Sequence, residues 1–80
     1  MKLPRDISAS ELVRALRPLG YAVTRQTGSH IRVTTDLDGQ HHETIPNHSP
    51  LKVGTVHAIL KSIAAHHQRE LAGLLQDLDL

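Results

Sequence analysis

The sequence predicts an α+β domain in which a three-stranded antiparallel sheet has helices on one face. Three observations lead to this fold class: an amphipathic stretch near the start, three short β-prone segments separated by turn residues, and a second amphipathic stretch after them. Consecutive strands joined by short turns pair antiparallel, and such a sheet must bury one side. The length suits one domain, spanning residues 1–80, with a modest core.

The first helix has recognisable signals at both ends. Ser8 and Glu11 form the capping-box pattern, in which each side chain bonds the other residue's backbone amide. Gly20 is a natural stop, and Pro18 predicts an irregular last turn because it supplies no amide hydrogen. The apolar positions between these signals recur at helical spacing: Leu12, Val13, Leu16 and Leu19.

Turn residues divide the next segment into strands. Gly28-Ser29 suits a turn, Asp38-Gly39 is a strong hairpin signal, and Pro46 is expected to end strand pairing and to begin a loop that reaches Pro50. The three predicted strands are Tyr21–Arg25, Ile31–Thr35 and His41–Ile45.

The second helix is expected to begin near Val53 or Gly54. Its apolar face comprises Val56, Ile59, Leu60, Ile63 and Ala64. A further leucine stripe either continues that helix or forms a short third one: Leu71, Leu74, Leu75 and Leu78. The resulting α-β-β-β-α order, with an extra C-terminal helix, is the layout of the double-stranded-RNA-binding fold, and fold alone does not assign function.

Composition limits the classes of function. The chain has no cysteine, which excludes disulfides and cysteine-based metal sites and fits a reducing cytoplasm. It has no apolar run of about 20 residues and no apolar leader, so neither a membrane span nor a signal peptide is expected. RNA-binding modules that read sequence commonly stack bases on aromatic rings, and Tyr21 is the only aromatic residue here, which argues against such a module and for action directed at the backbone.

Charge is unevenly distributed although the net charge is only +1. Residues 1–35 carry six basic and two acidic side chains, for +4, and residues 36–80 carry three basic and six acidic ones, for −3. A basic first half can attract a polyanion, and it can equally be an ordinary solvated surface.

His30 is the candidate for chemistry. In the second strand Ile31 and Val33 alternate with His30 and Arg32, so if the apolar pair faces the helices, the polar pair faces away. A neighbouring cation favours the neutral imidazole, which can serve as a general base. The alternative is an exposed strand histidine without a role.

Two further segments suit a phosphate. His48, in Pro46-Asn47-His48, can donate a proton or bind phosphate, or can simply bond backbone. Gly54-Thr55 offers free amides at a helix start, next to the charge of Lys52, although a plain helix cap looks the same.

The paired histidines His41-His42 and His66-His67 suggest a metal. Adjacent strand residues point to opposite faces, and the chain has no H-E-x-x-H spacing, so no metal site and no cofactor are expected.

Together these residues resemble the HicA (YcfA-like) toxin family, small bacterial endoribonucleases of toxin–antitoxin pairs. The resemblance covers about residues 8–65 and is carried by Arg25-Gln26-Thr27-Gly28-Ser29-His30, Pro46-Asn47-His48 and Gly54-Thr55-Val56-His57-Ala58-Ile59-Leu60-Lys61. It implies a double-stranded-RNA-binding-like fold, mRNA cleavage, a HicB-type antitoxin, and His30 as the catalytic histidine. The chain departs from the family at Glu43, where an apolar residue is usual, at Val53, where proline is frequent, and at 66–70, which lacks the usual short turn.

The leading hypothesis is therefore a metal-independent endoribonuclease toxin (mRNA interferase) of a type II toxin–antitoxin system. His30 would be the catalytic base, and the residues expected to bind RNA or phosphate are Arg25, Ser29, Arg32, His48, Lys52, Gly54 and Thr55. Two alternatives remain at this point: a non-catalytic RNA-binding module, and a protein-interaction domain that docks through the Leu71–Leu78 stripe.

Overall fold

The computed structural model describes residues 2–80 and confirms the predicted fold class. Along the chain, an N-terminal helix is followed by three strands and then by two C-terminal helices. The strands form an antiparallel sheet in the order β1-β2-β3. The elements are α1 (Ala9–Ala15), a 3₁₀ turn (Arg17–Leu19), β1 (Ala22–Thr27), β2 (His30–Thr35), β3 (His41–Pro46), α2 (Val53–His66) and α3 (Leu71–Asp77).

The predicted ends of α1 are confirmed. The amide of Glu11 donates to Ser8 Oγ and the amide of Ser8 donates to Glu11 Oε1, each at 3.1 Å, which completes the capping box. Pro18 lies in the 3₁₀ turn that replaces the last α-helical turn, and Gly20 ends it with φ of 85°. A side chain at position 20 would also meet the hydroxyl of buried Thr35, since an added Cβ would lie 2.5 Å from its Oγ1.

The strands are longer than predicted at the turns. β1 continues to Thr27 and β2 begins at His30, because Gly28 takes a positive φ of 48° and closes a two-residue turn. Pairing ends at Pro46 as predicted, but the strand is one residue longer than expected and the loop begins at Asn47: Pro46 is itself the last residue of β3 and lies opposite His30. Its missing amide hydrogen is tolerated because β3 is an edge strand and Pro46 occupies its final position.

One core joins the sheet to the helices. Ile31, Val33 and Ile45 are buried on the inner face of β2 and β3, and they belong to the same cluster as buried residues of α1 and α2 such as Leu12 and Leu60. The alternation of buried and exposed residues along β2 therefore confirms that helices cover one face of the sheet. β1 is exposed along its whole length.

The leucine stripe forms a separate short helix, α3, and contributes to the core. Leu74 and Leu78 are buried in the main cluster, and Leu71 and Leu75 pack against it. The expectation that 66–70 lacks a short turn is wrong: the chain turns between α2 and α3, and Gln68 takes a positive φ of 55° there. Because half of the stripe is core, it is not available as a continuous docking surface.

A polar network borders this core on the helix side of the sheet. The hydroxyl of buried Tyr21 lies 2.7 Å from Nδ1 of His41 and 3.3 Å from Nε2 of His67. His67 Nδ1 lies 2.9 Å from Asp38, and Glu43 accepts a hydrogen bond from Ser62 Oγ at 2.8 Å. Glu43 lies opposite buried Val33 and therefore faces the core, where Ser62 and His41 are the polar partners of its carboxylate.

This network makes stability depend on pH in a predictable direction. Burial lowers the pKa of His41, and nearby His66 and His67 act in the same sense while Glu43 opposes them. The unfolded chain then binds a proton at higher pH than the folded chain, so the free energy of unfolding falls as pH drops below about 6.5. Burial raises the pKa of Tyr21 to about 12, so its contribution is present below pH 10 and is lost as pH rises toward 12.

We expect urea unfolding at pH 7.5 and pH 5.5 to show lower stability at the acid pH. In His41→Gln, which removes the titrating ring and keeps a hydrogen-bonding side chain, this difference should shrink. An equal pH difference in the two proteins would show that His41 is not responsible.

Candidate functional site

The outer face of the sheet collects the polar residues of all three strands. Directly paired residues of neighbouring strands share a face. His30 is paired with Thr27 and Pro46, Arg32 with Arg25 and Thr44, and Thr34 with Ala22 and His42. The register therefore confirms that His30 and Arg32 point away from the core, as the alternation predicted.

An open cleft of about 420 Å³ lies on this outer face. Its lining combines two guanidinium groups, two imidazoles and two hydroxyls: Arg25, Thr27, His30, Arg32, His42 and Thr44. Arg25 and Arg32 are direct cross-strand partners, so two like charges are held side by side with no carboxylate in the lining. Such an arrangement is unfavourable for the empty protein and suits a bound anion.

His30 stands at one end of the cleft, at the first position of β2. Its side chain is exposed, and its Nδ1 lies 3.2 Å from Ser29 Oγ. This contact orients the ring through Nδ1, which leaves Nε2 as the atom that can exchange a proton with a substrate. Ser29 is thus placed to position His30, in addition to the phosphate contact predicted for it.

The loop that carries His48 begins beside this turn. The amide of Asn47 donates to the carbonyl of Ser29 at 2.7 Å, and the carbonyl of His48 accepts from the amide of Ala9 at 3.0 Å. These backbone bonds fix the loop between the Gly28-Ser29 turn and the start of α1. His48 is exposed and lies outside the lining of the cleft.

The predicted phosphate site at the start of α2 also lies outside the cleft lining. Lys52 is the N-cap residue, with extended backbone and no side-chain capping bond, and Gly54 is exposed in the first turn. Thr55 follows it and is partly exposed. The structure therefore brings together His30, Arg25 and Arg32, while the roles of His48, Lys52, Gly54 and Thr55 remain predictions.

Sequence reasoning missed His42 as a member of the site, having considered it only as half of a metal-binding pair. Its neighbour His41 faces the core, so the two rings point to opposite faces as adjacent strand residues must. Strand alternation would have placed His42 on the outer face, because Ile45 faces the core and every second residue before it shares that face, which leaves His42 and Thr44 outside. Within residues 2–80, no three histidine, aspartate or glutamate side chains are grouped so that they could hold a metal ion.

The helices of the described chain include none that is long and apolar enough to cross a membrane. The fold and the cleft together define a small α+β domain that presents imidazole and guanidinium groups on an open sheet face.

The comparison with protein families assigns this domain. The family model described as HicA toxin of bacterial toxin-antitoxin matches residues 9–65, which is more than half of the chain, and the chain belongs to that family. The protein is thus of the toxin type in a toxin–antitoxin system, and the family implies an antitoxin partner. The searches of curated proteins and of solved structures each found no match.

Proposed function

We propose that the protein is an endoribonuclease that cleaves mRNA in the bacterial cytoplasm and is neutralised by a HicB-type antitoxin. The observation that carries this proposal is the presence of His30, Arg25 and Arg32 in one open cleft on the uncovered face of the sheet. Membership of the HicA toxin family supports it.

The proposed chemistry uses the ribose 2′-hydroxyl as the nucleophile. Nε2 of neutral His30 takes its proton, the 2′-oxygen bonds to the adjacent phosphorus, and the bond from phosphorus to the 5′-oxygen breaks as that oxygen takes up a proton. The products are a 2′,3′-cyclic phosphate and a 5′-hydroxyl. General-base catalysis of this kind typically contributes about 10²–10⁴-fold. Arg25 and Arg32 hold the phosphate and stabilise the negative charge that develops on its oxygens.

The remaining predicted residues would bind the RNA backbone beside the reacting phosphate. The bond from Asn47 to Ser29 places the start of the His48 loop next to the turn that carries His30. RNA that leaves the cleft at this end would pass His48 and then the exposed start of α2, where Lys52 and the amides of Gly54 and Thr55 can hold a flanking phosphate.

The same cleft without proton transfer would give a non-catalytic RNA-binding module. The cross-strand arginine pair favours RNA binding under either hypothesis, and the imidazole at its end favours catalysis. Cleavage assays separate the two, because a binding module protects RNA without producing fragments.

We expect the purified protein to cleave an mRNA in the presence of EDTA, at a rate close to that without it. The reason is that His30 itself accepts the proton, so the reaction does not depend on a metal-bound hydroxide. The measurement is fragment formation on a denaturing gel, with induced expression in a bacterium scored for growth arrest and mRNA loss.

Two results would contradict the proposal. Binding of RNA without any fragments would establish the non-catalytic module. Activity that is lost in EDTA and restored by one divalent ion would establish a metal-dependent reaction instead.

A further inference from the structure

His42 stands at the other end of the cleft from His30. It is exposed, it lines the cleft, and it lies opposite Thr34, four residues along β2 from His30. Four strand residues span about 13 Å, with the Arg25–Arg32 pair between the two histidines. The cleft therefore presents one imidazole at each end and the arginine pair between them, an arrangement that suits a phosphate held by the arginines.

Two threonine hydroxyls connect the ring of His42 to the backbone of β2. Its Nδ1 lies 2.7 Å from Thr34 Oγ1, which lies 2.8 Å from Thr24 Oγ1, and Thr24 Oγ1 donates to the backbone carbonyl of Arg32 at 3.4 Å. Thr24 reaches this position because the register of β1 shifts between Val23 and Arg25, and a bulge of this kind re-aims a side chain.

The chain of hydrogen bonds has a defined direction. The carbonyl of Arg32 can only accept, so Thr24 must donate to it; Thr34 then donates to Thr24, and Nδ1–H of His42 donates to Thr34. The proton on Nδ1 is therefore engaged in both charge states of the ring. Nε2 is the nitrogen that gains and loses a proton, and it is the one available to the cleft.

We propose that His42 is the second proton-transfer residue of the cleavage reaction and protonates the departing 5′-oxygen. This inference rests on the proposed nuclease function. As the 2′-oxygen bonds to phosphorus and the bond from phosphorus to the 5′-oxygen breaks, His30 takes the proton of the 2′-hydroxyl and Nε2–H of the His42 imidazolium gives one to the 5′-oxygen. One proton is thus taken up and one released, and both rings return to their starting states by exchange with water.

The experiment compares two substrates that differ in one atom. The first is an oligoribonucleotide containing a mapped cleavage site, and the second carries sulfur in place of the bridging 5′-oxygen at that site. A thiol is far more acidic than an alcohol, so a thiolate departs without being protonated. A variant that lacks only the proton donor should therefore fail on the first substrate and succeed on the second.

For His42→Ala we expect a loss of about 10²–10⁴-fold on the oxygen substrate, the range typical of general acid catalysis, and little change on the sulfur substrate. Thr34→Val keeps the imidazole and removes its orienting hydroxyl, so it should show a smaller loss with the same substrate dependence. His57→Ala, which removes an imidazole on α2 outside the cleft lining, is the matched control and should cleave both substrates normally.

The outcomes are distinct. Normal cleavage of the oxygen substrate by His42→Ala overturns the assignment, and so does an equal loss on both substrates, which would indicate a role in binding or positioning only. If the wild-type protein cleaves neither substrate, the nuclease function itself fails and the assignment fails with it. If the wild type cleaves and His30→Ala does not, the nuclease function holds, and normal cleavage by His42→Ala, or its equal loss on both substrates, then overturns the His42 assignment alone.

Discussion

Replacing His30 with alanine is expected to abolish RNA cleavage and toxicity while leaving the protein folded. The side chain is exposed at the start of β2, and Ser29 Oγ is its one hydrogen-bond partner within residues 2–80, so its removal should cost little stability. Loss of the general base should lower the cleavage rate by about 10²–10⁴-fold. The measurements are the rate of fragment formation, growth after induction, and the midpoint of thermal unfolding.

The matched control for this variant is His57→Ala, which removes an imidazole from α2 at a position outside the cleft lining. It should remain toxic and should cleave RNA at the wild-type rate. Full cleavage by a folded His30→Ala protein would refute the assignment of the base. Loss of activity together with a large drop in unfolding temperature would show a structural role for His30 instead.

The second large effect concerns the arginine pair. The double variant Arg25→Glu with Arg32→Glu replaces two adjacent cations by two carboxylates at the centre of the cleft. RNA binding should weaken strongly, and its dependence on salt should flatten by about 0.7 in log–log slope for each phosphate of a single strand that the protein no longer neutralises. The measurement is RNA affinity over a range of salt concentrations, made in a His30→Ala background so that the RNA stays intact.

The same variant tests where the antitoxin binds. A partner that shields His30 must cover the outer face of the sheet, where carboxylates would complement the two arginines and would mainly speed association and set register. We therefore expect antitoxin affinity and RNA affinity to fall together. Unchanged antitoxin affinity would show that the partner docks elsewhere and blocks the site indirectly.

The control for charge is Arg14→Glu with Arg17→Glu, which makes the same change in net charge. Both residues are exposed, on α1 and on the 3₁₀ turn after it, and neither lines the cleft. This variant should bind RNA and antitoxin nearly normally. An equal loss in the two double variants would mean that net charge, rather than the cleft, attracts the RNA.

Several elements could be predicted from sequence because their signals are local. The Ser8–Glu11 capping box, the Gly20 stop and the Asp38-Gly39 turn each depend on residues within a few positions of one another. Alternation along one strand was enough to place His30 and Arg32 on the outer face. The terminal helix was ambiguous, since a leucine stripe has the same spacing in a continued helix and in a new one.

The partners across the fold could not be predicted in this way. The inward-facing Glu43 was an anomaly in the sequence, and the structure explains it by Ser62 on α2 and His41, which approach only when the helix packs on the sheet. The link from Tyr21 to His67 spans 46 positions of chain and depends on the same packing.

Amino-acid order alone determined the fold class, the order of the elements and the outward placement of His30 and Arg32, because backbone periodicity and turn chemistry are properties of short segments. The tertiary structure decided which side chains share the cleft. The two-residue Gly28-Ser29 turn sets Arg25 opposite Arg32, and the register of β1 shifts only beyond that pair, at Thr24. His42 joins His30 through the pairing of β2 with β3 across the connection of residues 36–40. Strand register is a relation between segments: turn geometry and the face that the helices bury set it together, and a connection as long as 36–40 leaves it open in the sequence.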